Sequence, residues 1–191
     1  MADSTFDPAT TVVNDIKGDY TLDPTHSRLG FSTRHAMVTT VRGHFSEFAG
    51  TAHVDSQNPA SSRVELTIQA ASIDTRNEQR DAHLRSNDFL AMEEYPQITF
   101  VATDVRQSSP TSLELTGDLT IRGVTNSVTI PFEFEGAATD PFGNLRVGFE
   151  GSAVINRKDY GITWNAALET GGVLVSDKIT LEFEVSAIKT A

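Results

Sequence analysis

Apolar and polar residues alternate with a period of two along most of this 191-residue chain. Leu29, Phe31, Thr33 and His35 share one face of a first strand, and Phe48, Gly50, Ala52 and Val54 share a face of the next. Val64, Leu66, Ile68 and Ala70 follow, then Ile98, Phe100 and Ala102, then Leu113, Leu115, Gly117, Leu119 and Ile121. Val128, Ile130, Phe132, Phe134 and Gly136 make another face. Leu145, Val147, Phe149, Gly151, Ala153 and Ile155 come next, and Ile179, Leu181, Phe183 and Val185 come last. The opposite faces carry polar residues such as Glu65, Thr67, Glu114, Thr116, Glu133, Arg146, Glu182 and Glu184. One-sided alternation predicts antiparallel sheet with one wet face. Eight such strands, with a short one at Tyr20 to Leu22, suit a closed barrel or a sandwich. Asn58-Pro59, Ser109-Pro110 and Asp140-Pro141-Phe142-Gly143 mark turns between them.

The segment from Thr75 to Pro96 breaks the period. Thr75 and Glu78 have the spacing of a capping box, and Asp81 and Arg85 form an i,i+4 pair, so a helical insert is expected from Glu78 to Met92. Residues 1–18 show no clear period and read as a disordered tail. Residues 19–191 read as one domain, with no repeat or linker.

Composition narrows the function. Phenylalanine dominates the aromatics, with 11 against three tyrosines and one tryptophan, which suits an apolar interior with few polar atoms to satisfy. A net charge of −11 argues against nucleic acid as a partner. With no cysteine, thiolate metal sites, disulfides and thiol nucleophiles are excluded. No apolar run approaches the ~18 residues of a membrane helix, so stable membrane insertion is not expected. The first residues lack the basic and apolar regions of a secretory leader, and a cytoplasmic location is the expectation.

Small residues interrupt the apolar faces at Gly50, Ala52, Ala102, Gly117, Gly136, Gly151 and Ala153. They read either as an opened bore able to hold a ligand or as bends in coiled strands. From Pro24 to Ser46 there is no acid, but there are Arg28, Arg34, Arg42, His26, His35 and His44. Such a stretch could receive an anionic head group. Arg28 and Arg34, on the polar face, are instead expected to pair with acids on a neighbouring strand. His35, His44 and His53 lie nine apart, a spacing that turns successive side chains to opposite faces of a strand, so no metal site is expected. Arg80-Asp81-Ala82-His83-Leu84 is the densest polar group, and its expected role is to lock a helix onto the sheet. Trp164, the lone tryptophan, is expected to hold a corner of the barrel after a bend at Gly161.

The ordered motifs resemble the YceI-like family, also described as polyisoprenoid-binding or lipid-binding. They run from Asp19-Tyr20-Thr21-Leu22-Asp23-Pro24-Thr25-His26-Ser27 through Val41-Arg42-Gly43-His44-Phe45 and Ser72-Ile73-Asp74-Thr75 to Arg80-Asp81-Ala82-His83-Leu84. They continue at Asp88-Phe89, Tyr95-Pro96, Gly117-Asp118-Leu119-Thr120-Ile121-Arg122-Gly123-Val124-Thr125 and Arg157-Lys158-Asp159-Tyr160-Gly161. Tyr20 stands where the family often has tryptophan. The resemblance implies an all-β fold, a lipocalin-like eight-stranded antiparallel barrel with a short helical insert at its mouth. It also implies a long pore for a polyisoprenoid, isoprenoid quinone or fatty-acyl amphiphile, no cofactor, no common enzymatic activity, and often a homodimer. The expected ligand-binding set is Phe31, His35, Arg42, His44, Phe45, Phe48, Arg80, Asp81, His83, Leu84, Phe89, Phe100, Phe132, Phe149 and Trp164. Two alternatives stand beside a lipid carrier. One is an enzyme acting on a hydrophobic substrate in the same cavity, with His35 or His83 as acid/base; the other is a structural protein with a filled core.

Overall fold

A computed structural model describes residues 16–55 and 57–191. The strands are β1 (Gly18–Leu22), β2 (Arg28–His35), β3 (Thr39–Phe45), β4 (Phe48–Val54), β5 (Arg63–Gln69), β6 (Ile73–Asp74), β7 (Gln97–Ser109), β8 (Ser112–Ile121), β9 (Val124–Thr139), β10 (Leu145–Asn156) and β11 (Lys178–Lys189). All pairings are antiparallel. The strands β1 and β2 act as one long bent stave, because both pair with β11, at Tyr20 to Leu22 and at Arg28 to Ser32. On the other side they pair with β4 and β3, which form a second bent stave. Counted so, eight staves follow one another in chain order, and β11 closes on the first. A closed meander leaves no long free edge.

Two detours interrupt this meander, the 157–177 segment between β10 and β11 and a second between β5 and β7. Here β6 and the helix α1 (Glu78–Arg85) cross one end of the barrel. The helix is shorter than the expected Glu78 to Met92, because the chain turns at Ser86 and continues as turns stitched by backbone bonds such as Leu90 N–H to the Leu84 carbonyl. Its cap also differs from the expected Thr75–Glu78 box. Asn77 is the N-cap and accepts from the Arg80 N–H at 2.9 Å. Thr75 is buried, and both its N–H and its hydroxyl donate to Asp81, at 2.9 and 2.5 Å.

The expected inner faces hold except where an extra residue breaks the alternation. In β7 an additional residue at Thr103 shifts the register, so that Val105 and Gln107 line the interior beyond Ala102. In β9 the register shifts between Phe134 and Gly136, opposite Phe149 and Gly148. Gly136 sits there at φ +135, a conformation that side chains disfavour. Ala137 therefore takes the inner position that Gly136 was expected to hold, and is fully buried opposite Val147. At the start of the chain, Ile16 is 1% exposed and Gly18 already belongs to β1, so the packed structure reaches into the expected 1–18 tail. Residues 1–15 lie outside the described residues.

Candidate functional site

The interior of the barrel is a cavity of about 330 Å³, at the small end of the usual range for ligand sites. It runs the length of the fold. At one end it touches Ile16, Val54, Pro59, Gln107, Leu113, Val147 and Ala187; at the other, Thr33, Phe45, Leu84, Phe89, Ile162, Val175 and Ile179. From Ile179 to Ala187 along β11, at ~3.3 Å per residue and a tilt of ~40°, the bore is about 20 Å long. The lining is almost wholly apolar. Several inward residues, among them Val64, Leu66, Phe132, Leu181, Phe183 and Val185, line the cavity but are only half-buried. In a filled barrel they would be covered by one another.

The glycines do not hollow the bore as a group. A Cβ on Gly117 would meet the Phe100 ring at 2.6 Å, and one on Gly151 would meet the Phe132 ring at 2.6 Å. Gly43 is likewise covered by Phe31. Each ring comes from the neighbouring strand and occupies the space a Cβ would take, so these glycines make room for aromatic walls. Of the seven small residues, Gly50 and Ala52 line the cavity, and Gly50 is crowded by the Glu65 carbonyl at 3.2 Å.

The expected ligand set divides three ways. Phe31, Phe45, Leu84, Phe89, Phe100, Phe132 and Phe149 line the cavity. Phe48 is buried in the surrounding core. The polar members lie elsewhere. Arg42 is exposed and, with His44, sits on the face of β3 opposite Phe45. His35 is half-buried at the end of β2, bridged through its backbone to Val175. Arg80 donates to the Thr75 hydroxyl and carbonyl, each at 2.7 Å, and Asp81 accepts from Thr75, so this pair fastens α1 to the segment after β6. His83 stacks edge-on against Trp164 at 4.6 Å and Phe89 at 5.0 Å, and its Nε2 lies 2.8 Å from Asp88. This cluster covers the helical end of the barrel. Arg28 pairs with Glu182 across the strand at 3.4 Å, as its outward position requires.

Lining residues absent from the expected set include several with polar atoms, Arg157, Tyr20 and Tyr160 among them. Arg157 is 3% exposed and donates to the carbonyls of Ser176, Ile162, Trp164 and Val175. Burial pushes its guanidinium below the ordinary value, against the pull of Asp177. It knots the 162–176 loop across the helical end. Tyr20 and Tyr160 are both buried; the Tyr20 hydroxyl finds no partner among the described residues, and the Tyr160 hydroxyl has the Asn126 side chain beside it. Burial pushes the Tyr20 phenol up to about 12 and raises Tyr160 as well. Their tyrosine identity amid phenylalanines was the available signal. Asp55 also borders the cavity, but its carboxylate accepts from the Asn58 N–H, the Ser61 hydroxyl and the Gln57 N–H, which lower it from its ordinary value. Among the described residues no three histidine, aspartate or glutamate side chains gather as a metal site would need.

A model of the YceI-like domain matches residues 20–187. The chain belongs to the YceI-like family. A UPF0312 protein of Staphylococcus aureus (strain MSSA476) is 40% identical over 170 residues, 88% of this chain and 95% of the relative. A UPF0312 protein of Staphylococcus epidermidis is 40% identical over 169 residues, with the same coverage. Among solved structures, a Campylobacter jejuni YceI protein superposes with a TM-score of 0.70 at 29% identity, covering 83% of this chain and 90% of that one. Burkholderia cenocepacia BcnA superposes at 0.76 with 22% identity, covering 86% and 98%. A domain of Saccharophagus degradans described as polyisoprenoid-binding superposes at 0.68 with 14% identity, covering 90% and 98%. The last two share the fold with the YceI-like barrel described here.

Proposed function

We propose that this YceI-like barrel binds an apolar, chain-like ligand along its axis: a polyisoprenoid, an isoprenoid quinone or a fatty-acyl amphiphile, held for storage or transfer. The observation that carries the reading is the end-to-end bore, whose inward leucines, valines and phenylalanines stay half-accessible from within. The polyisoprenoid-binding description of the Saccharophagus domain, which has the same fold, supports it. A narrow apolar tube rewards every methylene it removes from water by ~0.8 kcal/mol and sets no polar condition along its length. Binding is favoured over catalysis because His35 and His83, the residues that would act as acid/base, are not among those lining the cavity.

Native mass spectrometry of the purified protein, followed by organic extraction, tests this reading. The expected result is an adduct whose extract is a long-chain apolar lipid. Protein that emerges ligand-free and fails to bind a polyprenyl or fatty-acyl chain on titration would overturn it.

A further inference from the structure

We propose that the β2–β3 hairpin tip and the facing 171–174 loop form a docking surface for an anionic lipid bilayer, placed at the helical end of the bore. The proposal rests on the cavity being a lipid site. At the tip, Met37 and Val38 are 59% and 73% exposed, and Val173 across from them is 44% exposed. They form one surface. The Ala36 N–H donates to the Leu174 carbonyl at 2.8 Å, His35 bridges Val175, and the Met37 sulfur lies directly over Gly172. Exposed apolar side chains gathered in this way mark an interaction site.

Three observations choose the bilayer as occupant. The first is continuity with the cavity. Thr33 on β2 and Val175 on the loop both line the bore, only a few residues from the tip. The second is charge. The chain carries −11 overall, yet Pro24 to Ser46 contains no acid, and Arg34 and Arg42 are exposed on the outer face of this hairpin. Glu169 is the acid on the facing loop. An apolar tip flanked by arginines is the pattern of a peripheral membrane contact. The third is backbone strain. Ala36 and Met37 occupy the left-handed region at φ 49 and 64, where a tight hairpin turn favours Asn-Gly. Side chains are kept at a position that disfavours them, as at sites where they have work to do.

The test uses the full chain and vesicles of phosphatidylcholine with or without phosphatidylglycerol. Flotation should show wild-type protein on the anionic vesicles and less on the neutral ones. Two variants then separate docking from folding. Met37→Ser/Val38→Ser/Val173→Ser removes the apolar patch. Ala36→Asn/Met37→Gly relaxes the turn, so it should fold at least as well as wild type. Both should bind anionic vesicles about tenfold more weakly, as expected when part of an interfacial apolar contact is lost. Both should still bind a detergent-solubilised fatty-acyl probe with wild-type affinity. Equal vesicle binding by wild type and variants overturns the docking surface and leaves the cavity reading intact. A patch that instead drives dimerisation, seen by light scattering in the absence of vesicles and lost in the variants, also overturns it. Loss of probe binding by the wild type overturns the cavity reading instead.

Discussion

Filling the bore is the sharpest test of whether the cavity holds the ligand. Val64 on β5 and Val185 on β11 both face inward, both are half-buried, and Val64 lies opposite the small Ala52. Val64→Phe with Val185→Phe adds eight carbons, roughly 160–200 Å³ at ~20–25 Å³ per carbon at interior packing density. That is about half of the 330 Å³ available. A ligand excluded from that volume loses up to eight buried carbons, worth ~6 kcal/mol at ~0.8 each. Partial accommodation should leave a loss of at least ~3 kcal/mol, or about a hundredfold in affinity measured from water. The fold should not suffer, because the rings project into the cavity rather than against packed side chains; stability should stay level or rise by about 1–2 kcal/mol. Displacement of a fluorescent polyene fatty acid measures the first effect and urea titration the second. Val101→Phe with Val154→Phe, both exposed, controls for added apolar mass and should change neither. The reasoning is refuted if the inner double variant is folded and binds the probe as tightly as wild type. It is also refuted if that variant is destabilised by more than ~3 kcal/mol, the cost of overpacking a filled core.

Further outcomes follow from the polar groups around the bore. Tyr20→Phe removes a buried unpartnered hydroxyl and should raise stability by about 1 kcal/mol at neutral pH; a loss of that size would show that the hydroxyl has a partner. Since the Tyr20 phenol is raised to about 12 in the fold, wild type should also lose stability relative to this variant as pH climbs from 10 to 12. Arg146 bonds Asp23 at 2.6 Å and Asp140 at 2.8 Å, tying the corner after β1 to the β9–β10 turn. Arg146 foremost, with Thr25 and His26, holds Asp23 far below its ordinary 3.8, and the Asn144 N–H followed by Arg146 holds Asp140 at about 2. Because depressed carboxylates stabilise above their ordinary value, wild type should exceed Arg146→Met in urea midpoint at pH 7, and the gap should close as pH falls from about 4 towards 2. Arg157→Met removes the guanidinium donors from four carbonyls, of which only Val175's keeps a second side-chain donor, Asn165 Nδ2 at 2.7 Å; it should cost about 3–5 kcal/mol, with faster proteolysis within 162–176, and a cost below ~1 kcal/mol would show that the knot is not structural.

The alternation of residues was enough to read the staves and most inner faces, because a surface wet on one side and dry on the other imposes a period of two. It failed at Thr103 and Glu135, where one extra residue reverses the parity and nothing in composition announces it. The cationic stretch misled for a related reason. Arg42 and His44 are near Phe31 and Phe45 in sequence and on the opposite face in space. Parity alone separates Arg42 from Phe45, three residues apart on one strand. The small residues left two readings open, because a glycine beneath a phenylalanine ring and a glycine beside a void look alike in sequence. Arg157 was beyond sequence reasoning, since its partners are backbone carbonyls of a loop whose path depends on the closed barrel.

These placements bear on what the barrel can select. A polyprenyl or acyl chain in a bilayer already lies in hydrocarbon, so moving it into a tube of leucine and phenylalanine changes its free energy far less than moving it from water. Most of the burial energy therefore cancels in exchange with a membrane, and selectivity falls to shape and to the ends. Shape is fixed by a bore of about 20 Å, covered at the helical end by Leu84, Phe89 and Ile162. At the ends, the guanidinium nearest the bore is Arg157, whose donors are committed to carbonyls, while Arg80 is committed to Thr75. A charged head group drawn inside would be desolvated without a matching partner, at a cost of several kcal/mol. On this reading an anionic amphiphile keeps its head at the rim, beside the hairpin that carries Arg34 and Arg42, whereas a neutral ligand can enter completely. The preference between the two is then set by how much of the chain the bore accepts, which is why narrowing it at Val64 and Val185 should weaken both classes alike.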